Sequence, residues 1–244
     1  MATNRTHASR SGKRTPNRAR VLDVPAYVVA EAAHYLQIPA ATLRSWVRGR
    51  SYPLKPNRSG FFQPVIQLPD DEQNLLSFTN LVEAHILDAI RREHGVQLQK
   101  VRDAVHYMQE RMNVEHPLAY QAMATDGVDL FVQRYAQLIN VSRDGQLAMS
   151  TILNAYLRRV EWDEAGFAIR LYPFTRKREL DEPKVVVIDP EISFGKPILV
   201  GTGIPTSTVA ERYKAGESVD DLAEDYELKR VQIEEAIRCE LSAA

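Results

Sequence analysis

Apolar residues recur at helical spacing along much of the chain, and the breaks in that rhythm divide it. Met1 to Arg20 has almost no large apolar side chain. Ordering it would cost more entropy than it could recover by burial, so residues 1–20 are predicted to be a disordered basic tail. From Tyr27 the pattern sets in, with Val29, Ala32, Ala33 and Leu36 on one face. A break at Ile38-Pro39 follows, and Pro39 suits the first turn of a second helix, where a missing N–H does no harm. Leu43, Trp46 and Val47 form the inner face of that helix, and Gly49 can end it. Thr42, Arg44, Ser45 and Arg48 lie off that face.

The next stretch, "SYPLKPNRSGFFQPVIQLPD", has no helical period. It reads as a small β wing with a hairpin tip at Asn57–Gly60, and Phe61-Phe62 and Val65-Ile66 on the return. Asn80 is expected to open a long helix, with Glu83 as its capping-box partner and Gly95 as its end. Leu98, Val101, Val105, Met108 and Met112 then share the face of another helix, and this pair is a natural core or dimer seam.

The style changes around His116-Pro117. "VDLFVQRYAQLINVS" is rich in β-branched and aromatic residues between turn signals at Asp126-Gly127 and Asp144-Gly145. "AMSTILNAYLRRV" is helical, "FAIRLYPF" is a strand, and Thr175–Lys184 is a charged linker. The last segment starts with a buried strand, "VVVIDP", and ends in three helical pieces. Ser218 and Asp221 make a capping box there, and Leu222, Tyr226, Leu228, Val231 and Ile237 are the expected core. The predicted fold is α+β and mostly helical. It comprises the tail 1–20, a winged helix-turn-helix with a helical pair (21–115), a small α+β insert (116–180) and a helix-turn-helix-like three-helix domain (181–244).

Composition adds one point. The 244 residues are ordinary in hydrophobic content, at 44%, and in charge, at 26%. No apolar run approaches the roughly 18 residues needed to cross a membrane, and no apolar core follows the basic N-terminus to make a secretory signal. The one cysteine, Cys239, excludes an internal disulfide and fits a reducing cytoplasm. The net charge of −1, however, hides a split. Residues 1–60 hold 11 Lys/Arg against 2 Asp/Glu, whereas Glu217–Glu240 holds 3 against 9. One end suits a polyanion and the other would repel it.

That asymmetry bears on the candidate chemistry. In a helix-turn-helix the second helix enters the major groove and needs a polar, basic outer face. Thr42, Arg44, Ser45 and Arg48 provide it, and Arg50, Lys55 and Arg58 carry the basic surface into the wing, where phosphates would lie. Gly201-Thr202-Gly203 invites a phosphate-loop reading, but Lys196 precedes the glycines and Ile204-Pro205 follows them. Proline removes an N–H where a phosphate cradle needs one, so a tight turn before a helix capped by Thr206 or Ser207 is the better reading. No two of His85, His94, His106 and His116 have the i, i+4 spacing of helical metal ligands. No motif sets a nucleophile beside a base, so neither an enzyme nor a cofactor is expected.

"YVVAEAAHYLQIPAATLRSWVRG" resembles the opening of the MerR family of winged helix-turn-helix regulators, through Glu31-Ala32-Ala33, Leu36, Ile38-Pro39 and Thr42-Leu43-Arg44. That resemblance covers residues 25–113 and implies DNA binding through Thr42, Arg44, Arg48 and Arg58. The family's metal-sensing cysteines are missing, so metal sensing is not implied. "VVIDPEISFGKPILVGTGIP" with "VAERYKAGESVDDLAEDYELKRVQIEEAI" resembles a small domain found in bacterial antitoxins, including large VapB-type antitoxins with a MerR-like N-terminus. Together the resemblances imply a cytoplasmic, homodimeric antitoxin. It would silence a VapC-type toxin, a PIN-domain ribonuclease, by occluding its acidic metal site, and would bind its own operator DNA. The alternative is a stand-alone MerR-like regulator whose C-terminal region senses a ligand or dimerises. The acidic terminal domain is expected to meet protein, not DNA.

Overall fold

The computed structural model describes residues 21–241 except 56–57, 71, 93–97, 140–141 and 177–179. The tail 1–20, Gly95, His94 and Asn57 therefore lie outside the described residues. Two helices, α1 (Val29–Tyr35) and α2 (Ala40–Arg48), form the predicted helix-turn-helix. Their shared core is Ala32, Ala33, Leu36, Ile38, Leu43, Trp46 and Val47, all buried. The wing is an antiparallel pair, β1 (Arg50–Lys55) and β2 (Arg58–Phe62). Its returning strand starts at Arg58, earlier than expected, and Val65 and Ile66 lie beyond it. Those two residues donate their N–H groups to the Trp46 carbonyl, at 2.8 and 3.1 Å. They thereby satisfy a helix-end acceptor and fasten the wing to α2.

The long helical pair is α3 (Phe78–Arg92) and α4 (Leu98–Met112). Ser77, not Asn80, caps α3. The Asn80 N–H donates to Ser77 Oγ, and the Ser77 N–H donates to Asn80 Oδ1, both at 3.2 Å. Asparagine thus fills the reciprocal position of the box, which frees Glu83 for another task. Buried Glu83 accepts from Asn80 Nδ2 and from His116 Nδ1, each at 3.1 Å. Burial opposes the imidazolium, yet the Glu83 hydrogen bond and charge outweigh it and raise the His116 pKa above its ordinary 6.5. A raised folded-state pKa stabilises below the unfolded pKa, and the contribution is lost as pH rises through the folded one. His116→Gln is therefore expected to cost about 1–3 kcal/mol near pH 6 and progressively less in alkaline buffer. Urea midpoints of the two proteins across pH check this, and a gap that widens with pH would reverse the assignment.

The β-branched, aromatic stretch after Asp126 is a helix, α5 (Gly127–Ile139). Val128, Phe131, Val132, Tyr135 and Ala136 are buried at helical spacing, and that period outweighs β propensity. The second turn signal, Asp144-Gly145, likewise lies in the first turn of α6 (Arg143–Leu157), capped by Ser142. Helix α5 packs on α4, and α6 packs on α3. One hydrophobic core therefore runs from Leu22 to Ile188, through both the winged domain and the insert.

A four-stranded antiparallel sheet follows, in the order β3 (Val160–Trp162), β4 (Ala168–Leu171), β5 (Val186–Ile188), β6 (Pro197–Leu199). It joins the insert to the terminal segment through Leu171 opposite Ile188. Val186, Val187 and Ile188 are all buried, which is why that strand reads as an unbroken apolar run. The chain ends with α7 (Thr206–Lys214), α8 (Val219–Asp225) and α9 (Arg230–Leu241). Their core is Leu199, Val209, Leu222, Ile233 and Ala236. Val231, expected in that core, is exposed on the outer side of α9.

Candidate nucleic-acid interface

Arg44 and Arg48 project from α2 into solvent, opposite its buried face. Neither has an ion-pair partner among the described residues. Thr42 and Ser45 are half-buried and turn toward a cleft of about 230 Å³ against α3 and α4. The Ser45 hydroxyl donates to the Thr42 carbonyl at 2.7 Å, so one of its hydrogen bonds is spent inside the helix. Exposed Arg91 lines the same cleft and adds a cation beside α2 that the sequence pattern did not single out. On the wing, Arg50 lies over the Phe62 ring at 5.4 Å, and Phe62 stacks on Tyr52 at 4.1 Å between centroids. Arg58 is exposed, and Lys55 is placed opposite it by backbone register. The helix arginines and the wing cations thus belong to one unit, with Thr42 and Ser45 at its edge.

Gly49 connects the two parts. Its φ of +70° with ψ −173° is a backbone region that glycine alone adopts readily. An added Cβ would stand 2.1 Å from the Phe62 carbonyl oxygen and 2.7 Å from the Phe61 ring. Gly49→Ala is therefore expected to destabilise the protein by about 2–4 kcal/mol and to displace the wing. Thermal unfolding together with near-ultraviolet dichroism of the wing aromatics checks it, and an unchanged melting temperature would refute it.

The C-terminal domain repeats the turn geometry of the N-terminal one. In the first, Leu36, Gln37 and Ile38 donate to Ala32, His34 and Ala33 at 3.1, 3.1 and 2.9 Å. In the second, Tyr226, Glu227 and Leu228 donate to Leu222, Glu224 and Ala223 at the same distances. Gln37 and Glu227 both have φ +54°. In this register the counterparts of Arg44 and Ser45 are Glu234 and Glu235.

The second helix of this unit is also covered. Glu235 is buried under the Thr175 hydroxyl and the Arg176 guanidinium, and Arg238 pairs with it as well. Burial would raise the Glu235 pKa, but these donors hold it below the ordinary value. Arg230 is held by Asp220 and Glu234, and Arg212 by Glu217 and Asp225. Ser218 caps α8 as expected, accepting from the Asp221 N–H at 3.1 Å.

The Gly201-Thr202-Gly203 stretch is a turn closed on itself. Thr202 Oγ1 donates to the Leu199 carbonyl at 2.9 Å and accepts from the Ile204 N–H at 3.0 Å. Pro205, not Thr206 or Ser207, occupies the cap of α7. Thr206 Oγ1 faces inward to the Pro197 carbonyl and to Glu240 Oε1, at 3.2 and 2.5 Å. The preceding loop docks on the N-terminal unit, because Tyr27 OH donates to the Gly195 carbonyl at 3.1 Å. Among the described residues no group of three or more His, Cys, Asp or Glu is placed to hold a metal. No helix among them is long and apolar enough to cross a membrane.

This geometry defines a winged helix-turn-helix protein with a second, acidic helix-turn-helix at its C-terminal end. Comparison with known proteins finds a family match at each end. Residues 25–105 match a family described as "Putative DNA-binding HTH domain", and residues 186–238 match "Protein of unknown function (DUF433)". The chain belongs to the family of large VapB-type antitoxins represented by "Putative antitoxin VapB45" of Mycobacterium tuberculosis. The two are 30% identical over 235 residues, covering 88% of this chain and 93% of that relative. "Uncharacterized protein Rv2308" of the same organism is 27% identical over 89% of this chain and 90% of its own length. The crystal structure of Rv2018 from Mycobacterium tuberculosis superposes with a TM-score of 0.64 at 24% identity, over 89% of this chain and 99% of that one. This last likeness is one of fold.

Proposed function

We propose that the chain is an antitoxin that binds DNA through its N-terminal winged helix-turn-helix and neutralises a toxin through its C-terminal half. The observation that carries this reading is the contrast between its two helix-turn-helix units. The first presents Arg44 and Arg48 to solvent. The second has carboxylates at the matching places of Arg44 and Ser45, one of them buried against the chain's own linker, and the cation at the place of Arg48, Arg238, is paired with that buried carboxylate. Phosphate attraction dominates the affinity of such units for DNA, so the first holds DNA and the second is left for protein. Thr42, Arg44, Ser45, Arg48, Arg50, Lys55 and Arg58 form the DNA surface, to which Arg91 adds charge.

The toxin in this reading is a VapC-type PIN-domain ribonuclease, and the DNA is the operator of the protein's own operon, bound as a homodimer. The protein acts by occlusion and performs no catalysis. Purification of the tagged full-length protein from its source, with mass identification of what elutes, tests the toxin half. A stoichiometric small PIN-domain ribonuclease supports it, and elution of the protein alone or with DNA only refutes it. The stand-alone regulator is the second reading, and a cavity between the N-terminal segment and the insert favours it.

A further inference from the structure

That cavity, of about 560 Å³, lies where the segment before α1, the first turn of α3 and the loop after α4 meet the hairpin of β3 and β4. Its volume falls in the range of small-molecule sites, about 300–1,000 Å³. Its two halves differ in chemistry. One is apolar, with Leu22, Ala119 and an edge-to-face pair of rings, Tyr120 and Phe167, whose centroids are 6.0 Å apart at 73°. The other carries Asp23, Glu115 and His116.

The polar half is unbalanced. Asp23 Oδ1 accepts from the Thr79 hydroxyl at 2.6 Å. Among the described residues neither Asp23 nor Glu115 has a Lys or Arg partner. Among the described lining residues the one cation is His116, whose Nδ1 is committed to Glu83 at 3.1 Å. Both Asp23 and Glu115 add to the field that favours the imidazolium. Two carboxylates thus share the described lining with one imidazole that Glu83 already holds, and that lining stays negative even with His116 protonated. An anionic ligand would be repelled, and a neutral one would gain nothing from the carboxylates' charge. A cation satisfies them.

We propose that this cavity binds a small organic cation, a primary amine on an aromatic or short aliphatic body. The ammonium sits between Asp23 and Glu115, and the apolar body lies against Tyr120 and Phe167. Asp23 lies just ahead of α1, and Thr79 is in the first turn of α3. An occupant therefore ties the N-terminal end of the DNA-binding unit to the central helices. The site is independent of the toxin reading.

Isothermal titration of the full-length protein at neutral pH tests it, with tryptamine and cadaverine as amine probes and indole-3-propionate as the charge-inverted match to tryptamine. At least one amine is expected to bind saturably, one per chain, and the propionate at least about tenfold more weakly, because the two carboxylates attract the ammonium and repel the propionate, and a tenfold change is only ~1.4 kcal/mol. The double variant Asp23→Asn, Glu115→Gln changes two exposed side chains, so its melting temperature without ligand stays near wild type while amine affinity falls tenfold or more. Ala165→Trp, at the exposed rim, keeps both carboxylates and is expected to block binding by filling the mouth. No saturable binding of either amine overturns the proposal. So does equal affinity for the propionate, or undiminished amine binding in the double variant.

Discussion

Alanine at both Arg44 and Arg48 is expected to weaken binding to the DNA upstream of the protein's own gene by about 2–6 kcal/mol, and to leave the protein folded. The magnitude follows from about 1–3 kcal/mol for each arginine that reaches a base edge. Retention of the fold follows from position, since both side chains project from the solvent face of α2 while Leu43, Trp46 and Val47 hold the helix in place. Salt dependence separates the two possible roles of each arginine. A phosphate contact adds about 0.9 to the slope of log affinity against log salt, whereas a base contact changes affinity with sequence. If both residues bind phosphate, the slope should fall by nearly two and discrimination against unrelated DNA should persist. If they read bases, discrimination should collapse. Lys229→Ala in the second unit is the matched control and should change neither. Undiminished affinity in the Arg44/Arg48 variant, measured by fluorescence anisotropy, would remove α2 from the interface.

The helix-turn-helix was legible because its determinants are local. Seven apolar positions, one proline and one glycine place α1, the break, α2 and its end within a single short stretch. The central segment was harder to read because two signals conflict there. Phe131 and Tyr135 favour strand by type and helix by spacing, and packing against α4 settles the matter for helix. Composition also suggested a separate insert after His116. Yet Glu83 and His116, His85 and Tyr156, and Leu171 and Ile188 pair across the expected boundaries, and no local pattern reveals contacts so distant in sequence. Ser77 caps α3 although the sequence favours Asn80, itself a good cap residue with an acid three places on. Of the proposed DNA surface, charge and helical phase predict the outward arginines, while Arg91 reaches the cleft only through the tertiary packing of α3 beside α2.

The two helix-turn-helix units show why charge must be read together with burial. By backbone alone they are equivalent, down to the left-handed residue in each turn. Sequence counting gives the second a net negative charge, but counting cannot say which acids face outward. Glu235 is enclosed and Glu234 is held by Arg230, whereas Asp221, Glu224 and Glu227 remain exposed. Under the proposed function, exclusion of DNA from the second unit would have two sources, a repulsive surface on α8 and a covered face on α9. The covering segment is the linker that starts at Thr175, which sequence reading assigned no structural task.

That linker is held in turn by Arg159, and Arg159→Ala is expected to lower stability by about 3–5 kcal/mol. The side chain is 3% exposed and lies over the Phe174 ring at 4.4 Å. Its Nε donates to the Tyr172 carbonyl at 2.7 Å, Nη1 to the Glu182 carbonyl at 3.0 Å, and Nη2 to the Pro173 carbonyl and Glu182 Oε1 at 3.1 and 3.4 Å. Removing it orphans three buried carbonyls and strips a buried carboxylate of its counter-ion. Glu182 has other donors, the N–H groups of Thr175 and Arg176, at 2.5 and 2.7 Å, but burial already pushes its pKa up. Without Arg159 the carboxyl is expected to take up a proton at higher pH, so the deficit should shrink on mild acidification. Pairing the change with Glu182→Gln removes the charge and should recover part of the loss, giving a coupling energy in a double-mutant cycle. Trp162, in the adjacent strand β3, reports the transition by fluorescence. A loss below about 1 kcal/mol, typical of an exposed ion pair, would mean that the linker is fastened mainly by Arg176, Glu235 and the sheet, and that Arg159 only fills space beneath it.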